Sequence, residues 1–192
     1  MINKNECLLA LDASSKVIGY SIFDLKTKEL LKIDKFLHDE KKTLIERTLE
    51  YEKLLVKLIA EYNITEMVIE EAFKAFTGGG SSATTVQVLT AINFGYQLIT
   101  TKNNIKVNTM TVNEARKNCF PGIKIRTLAK MRGQKEKDFC FDLTLPTLQS
   151  YYTTKTISKG KNKGNVVYEE WCKDMADSYI CGYGYLNSKK II

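Results

Sequence analysis

The chain is short of the side chains that most often carry enzyme chemistry. It has one histidine, one tryptophan and two prolines among 192 residues. A lone histidine, His38, set in a polar stretch, argues against a two-histidine zinc site and a histidine-based triad. The cysteines (Cys7, Cys119, Cys140, Cys172 and Cys181) are odd in number and scattered, with no Cys-x-x-Cys pair. That argues against a disulfide framework and a zinc knuckle. No run approaches the ~18 apolar residues of a membrane helix. The first residues lack a signal or transit layout, so a cytoplasmic protein with no membrane partner is expected, and no small-molecule cofactor is expected. With the soft ligands set aside, oxygen-ligated Mg²⁺ or Mn²⁺ are the natural metals.

What is present is ordinary in amount and uneven in placement. Hydrophobic residues make up 44% and charged ones 27%, which suits one globular domain. The net charge is +7, but residues 1–100 hold 12 basic against 14 acidic side chains, and residues 101–192 hold 17 against 8. A basic half joined to an acid-bearing half suits a polyanion gripped by one part and cut by the other. A soluble protein of high isoelectric point fits the charge equally well.

The order of elements is that of an α/β protein. Apolar runs at 6–13, 17–23 and 29–37 predict an antiparallel meander. Leu44, Tyr51, Leu54, Leu55, Leu58, Ile59 and Tyr62 recur at helical spacing, predicting a helix over 43–62 ended by Asn63. Residues 66–71 predict a fourth strand. A glycine-rich loop at 77–82 precedes a helix to about 101, capped by Ser81 or Ser82. Residues 105–110 predict a fifth strand, and helices follow at 111–119, 134–145 and 168–186. Between the last two, residues 151–165 form a basic loop or hairpin. The resulting fold class is α/β with a mixed sheet.

Four acids stand out against this layout. Asp12 closes the run Cys7–Leu11, and Glu70 closes Met67–Ile69. Asp174 and Asp177 share one face of the last helix. Ionised carboxylates beside a core are costly unless paired or metal-bound, so their convergence predicts a site for two divalent cations. Each has a plainer reading. Asp12 could form a turn, Glu70 could pair with a lysine, and the helical pair could face solvent.

The stretches Leu9–Ile22, Val68–Lys74 and Asp174–Tyr179 resemble those of RuvC-type Holliday-junction resolvases, of the RNase H-like superfamily, and a phage or viral member more than a bacterial one. The resemblance covers about residues 6–186. It implies an RNase H-like fold, a five-stranded mixed sheet (three antiparallel strands, then parallel ones) flanked by helices. It implies catalytic and metal-binding roles for Asp12, Glu70, Asp174 and Asp177, with Gly19 as the motif's glycine. Phe73, three residues past Glu70, matches an aromatic that stacks on a base at the branch point. Lys137 matches a basic residue at the scissile phosphate, with Arg116 or Lys117 a looser match. Lys74, Lys135, Lys159, Lys161 and Lys163 complete the DNA-contacting candidates, although solvated surface lysines are the plainer reading. Residues 121–168 are longer than their bacterial counterpart.

The expected protein is therefore a homodimeric Mg²⁺-dependent endonuclease that nicks four-way or other branched DNA, with Mn²⁺ able to substitute. Its rivals are another RNase H-like nuclease, acting on RNA–DNA hybrids, and a non-catalytic junction-binding protein.

Overall fold

The apolar run Cys7–Leu11 is fully buried because both faces of its strand are covered by helices. In the computed structural model, which describes residues 5–71 and 83–189, it forms β1 (Cys7–Ala13), the central strand of a five-stranded sheet. On one side β1 pairs antiparallel with β2 (Val17–Asp24), which pairs antiparallel with β3 (Leu30–Leu37). On the other side it runs parallel to β4 (Ile64–Glu70), and β4 runs parallel to β5 (Lys106–Met110). The order β3-β2-β1-β4-β5 is the expected mixed sheet.

Two helices cover one face, α1 (Leu44–Tyr62) and α2 (Ala83–Lys102). Thr43 and Glu46 close a reciprocal cap at the start of α1, and Asn63 ends it in the left-handed conformation, φ 51°. The opposite face carries α3 (Val112–Cys119), α4 (Ile125–Met131), α5 (Glu136–Leu148) and α6 (Trp171–Ser188). Each face has its own apolar core, with Leu9, Leu11, Tyr51, Leu55 and Tyr96 on the first and Leu8, Ala10, Phe23, Phe139 and Ile180 on the second. Among the described residues no helix is long and apolar enough to cross a membrane.

Several expectations change in detail. No periodic signal in the sequence marks α4. Helix α5 runs through Pro146 to Leu148 rather than stopping before the proline. A mid-helix proline costs about 3 kcal/mol, but Pro146 lies in the last turn. Fully buried Leu148 and the Thr144 Oγ1–Tyr152 OH hydrogen bond of 2.8 Å hold that turn in place. The basic segment is a hairpin, β6 (Thr154–Thr156) paired with β7 (Val166–Tyr168). Tyr168 belongs to that strand, so α6 begins three residues later than its pattern suggests. The glycine loop and its Ser81 or Ser82 cap lie outside the described residues.

Candidate active site

Strand alternation decides which way the sheet acids point. Cys7, Leu9 and Leu11 of β1 join the core beneath α1 and α2, whereas Leu8 and Ala10 join the core beneath α6. Asp12 continues the second set. In β4, Met67 and Ile69 face α1 and α2, Val68 faces α6, and Glu70 follows Val68. Leu11 registers with Ile69 across the parallel pair. Asp12 and Glu70 are each the next residue, at the carboxyl ends of neighbouring strands, where open α/β sheets bind ligands. The main chain at Glu70 is pinned from α2, because Asn93 Nδ2 donates to the Glu70 carbonyl at 2.8 Å.

Helix α6 brings Asp174 and Asp177 to the same place, and small residues set how close it comes. Gly19 registers with Asp12 in the β1–β2 pair. A Cβ on Gly19 would lie 2.1 Å from the main-chain oxygen of Asp174, so any other residue would push the helix away. Behind the acids, Ser21 Oγ and Ser178 Oγ lie 2.7 Å apart in the buried β2–α6 contact. Further along, a Cβ on Gly182 would meet the Phe23 ring at 2.4 Å.

The four carboxyls form one electrostatic unit. Burial pushes the Asp12 carboxyl well above its ordinary range, and the charges of Asp177, Glu70 and Asp174 add to it. Glu70 is raised to about 7, first by burial and then by Asp177. Asp174 is also raised, first by burial and then by Asp177, with Lys137 opposing. Lys137 is the internal counter-ion. Its Nζ lies 3.2 Å from Asp174 Oδ1 and 2.8 Å from Asp177 Oδ2. Burial works against its charge, but Asp177, Asp12 and Asp174 outweigh that and raise its pKa. Arg116, ion-paired with Glu136 at 3.2 Å, also lowers the Glu70 carboxyl.

An all-carboxylate donor set is hard and anionic, which suits Mg²⁺ or Mn²⁺. Acids forced upward by burial and by one another are also what a divalent cation would relieve. As placed, however, among the described residues no three His, Cys, Asp or Glu side chains converge closely enough to hold an ion. Lys137 bridges two of the carboxylates instead.

The remaining candidates lie at various distances from this centre. Arg116 is largely buried, and Lys117 is exposed on α3. Lys135 is exposed at the start of α5, two residues before Lys137. Lys159, Lys161 and Lys163 are exposed on the turn of the β6–β7 hairpin. Phe73 and Lys74 lie outside the described residues. All five cysteines are buried thiols, and burial pushes Cys140 up to about 11 and Cys119 up to about 12, so neither of these two is a ready nucleophile.

Neither a family model nor a curated protein matches the sequence. Solved structures do match. Thermus thermophilus RuvC in complex with a Holliday junction substrate superposes with a TM-score of 0.60 at 7% identity, covering 95% of this chain and 94% of that one. Thermus thermophilus RuvC in a second structure gives 0.59 at 11% identity, over 94% and 93%. The fowlpox virus Holliday junction resolvase gives 0.51 at 15%, over 95% and 99%. This chain has the RNase H-like fold of the RuvC resolvases. Identities this low show the RuvC-like fold alone, so the chemistry of the site rests on its own residues.

Two parts of that site escape sequence inspection. Asn93 sits between the buried Ile92 and Tyr96 of α2, and a polar residue at a buried position is its only signal. Ser21 and Ser178 carry a similar sign, a hydroxyl inside an apolar strand and an apolar helix face.

Proposed function

We propose that this chain is a Mg²⁺-dependent, structure-selective DNA endonuclease that nicks four-way or otherwise branched junctions. One observation carries the reading. Two acids at the ends of adjacent parallel strands face two acids one helical turn apart on α6, around a single lysine. Asp12, Glu70, Asp174 and Asp177 would hold two Mg²⁺, with Mn²⁺ able to substitute. Ions bound there would supply an activated water and charge compensation at the phosphorus, for products with 5′-phosphate and 3′-hydroxyl ends.

The chain's own groups do the rest. Lys137, held by Asp174 and Asp177, is placed to meet charge that builds on the phosphate in the transition state. Arg116 biases Glu70 toward its ionised form. The basic second half of the chain, including Lys117, Lys135 and the hairpin lysines, supplies sequence-independent phosphate contacts. Phe73 and Lys74 remain base-stacking and phosphate-contacting candidates from the sequence.

Paired nicks across a nearly two-fold junction favour a C2 homodimer. Support comes from exposed apolar residues, Ile45, Leu49 and Val56 on α1 and Phe94 and Leu98 on α2. They flank a close helix crossing, where a Cβ on Gly95 would lie 2.9 Å from Thr48. Sedimentation of the whole chain tests this, and a monomer at micromolar concentration would count against it.

The activity test compares a synthetic four-way junction, a linear duplex and an RNA–DNA hybrid, each with Mg²⁺ or with EDTA. Junction-selective nicking that chelation abolishes is the expected result. Cleavage of the hybrid alone would favour a different RNase H-like nuclease, and binding without cutting a junction-binding protein. Asp174→Asn should stop cleavage while leaving junction binding intact. Loss of both would make that acid structural.

A further inference from the structure

The only tryptophan of the chain stands three residues before Asp174, on the same face of α6. Trp171 is half-buried. Its indole Nε1 donates to Thr153 Oγ1 at 3.2 Å, which fixes the ring's edge, and Lys35 Nζ sits 5.5 Å from the ring centroid. Beside it opens a cavity of about 520 Å³, between the β1–β2 turn and the start of α6, with Asp174 in its lining. Val17, Leu37 and Trp171 give it apolar walls, Ser15 and Lys16 a polar side. Among the described residues the Lys16 ammonium is engaged by Glu40 at 3.0 Å, and both side chains are 63% exposed. A solvated pair of that kind is weak and readily exchanges its partner.

The geometry points to a nucleotide subsite beside the acidic centre, in which a DNA base stacks on Trp171 and its phosphate takes up Lys16. The inference rests on the nuclease reading above. The cavity's size suits a single nucleotide, within the ~300–1,000 Å³ of typical ligand pockets. Its distance suits one too, because Trp171 precedes Asp174 by three helical residues, a rise of roughly 4.5 Å. A strand whose phosphate lies against Asp174 therefore delivers its neighbouring base to the indole. A ring that attracts the Lys35 ammonium has the electron-rich π-face on which a base also stacks. The carboxylates of Glu170 and Glu40 at the rim accept hydrogen bonds, which favours bases with an exocyclic amino group.

Because the chain holds one tryptophan, its emission reports on this cavity alone. The whole protein is titrated with a four-way junction in EDTA, where cutting does not interfere. Indole emission and the anisotropy of a fluorescein label on the DNA are followed together. The expected result is quenching that saturates with the anisotropy, and that disappears when one position near the crossover is made abasic. Trp171→Ala should bind about 5-fold or more weakly, as lost base–aromatic stacking predicts, and Trp171→Phe should bind close to the original chain. Saturating anisotropy with unchanged emission would overturn the subsite and leave the nuclease reading standing. So would quenching indifferent to every abasic position. No anisotropy change in EDTA or Mg²⁺, with no nicking, would overturn the nuclease reading and this inference with it.

Discussion

The two sides of the sheet each bury a polar cluster, and the clusters are built on opposite principles. Between β3, α1 and α2 the polar groups satisfy one another. His38 Nε2 meets Tyr96 OH at 2.7 Å, His38 Nδ1 meets Glu50 at 3.2 Å, and Lys42 closes on Glu50. Tyr51 OH lies 2.7 Å from Thr100 Oγ1, and its ring stacks on Tyr96 with centroids 4.2 Å apart. On the α6 side, burial and the charge of Asp177 raise the proton affinity of Asp12, Glu70 and Asp174, and one ammonium, that of Lys137, bridges Asp174 and Asp177. A closed network adds rigidity and needs nothing further. An open one stores repulsion that a cation or a phosphate-borne metal would release. The difference separates what holds this protein together from what it can do.

The largest expected effect comes from breaking the open cluster. Asp12→Asn should reduce junction nicking more than ~100-fold, beyond the loss typical of an outer-shell substitution. The melting temperature in EDTA should stay level or rise, since a repelling charge has gone. A lower one would show the acids to be structural. Gly19→Ala attacks the approach of α6 rather than its acids. It should destabilise by about 1–3 kcal/mol, as overpacking does, and abolish the Mg²⁺-dependent rise in melting temperature. Calorimetry with and without Mg²⁺ would reveal a tolerant site if that rise persisted.

Breaking the closed cluster should do the reverse. Tyr96→Phe leaves His38 Nε2 without its partner and should cost about 1–3 kcal/mol, or ~2–4 °C per kcal/mol for a chain of this size. Nicking well below the transition should be unchanged, and a loss of activity there would dissolve the contrast between the two sides. The same cluster gives the pH response. Burial, opposed by Glu50, lowers His38 below its ordinary 6.5, so the fold favours the neutral ring. That contribution is fully present above 6.5 and fades as the pH falls through the lowered folded value. Melting temperature should therefore drop between about pH 7 and pH 5, and His38→Gln should flatten that part of the profile.

The smallest effect belongs to neither cluster. Replacing Lys159, Lys161 and Lys163 together by alanine should leave melting unchanged. It should weaken junction binding and lower its salt dependence by up to about 0.9 for each phosphate no longer neutralised. An unchanged salt slope would make the hairpin turn a solvated surface.

Much of this is legible from residues alone, for reasons visible in particular elements. Period-two and period-3.6 patterns are local, so β1, β2, α1 and α6 can be read from their own residues to within a few positions. The end of α5 cannot, because Pro146 is a breaker only when tertiary packing does not override it, and here buried Leu148 does. The short α4 has only seven residues, too few for a periodic signal. The acids are legible as oddities, charged residues ending apolar runs, whereas Asn93, Ser178 and Trp171 look ordinary until their neighbours are known.

Residue order alone accounts for the elements, their burial pattern and the residue types at the strand ends, because each of these depends on neighbours along the chain. It took the packed fold to establish that Gly19 admits the backbone of Asp174, that Lys137 bridges Asp174 and Asp177, and that Trp171 borders the same cavity. Those meetings join residues far apart in the chain, and nothing in a linear pattern records how closely two surfaces pack.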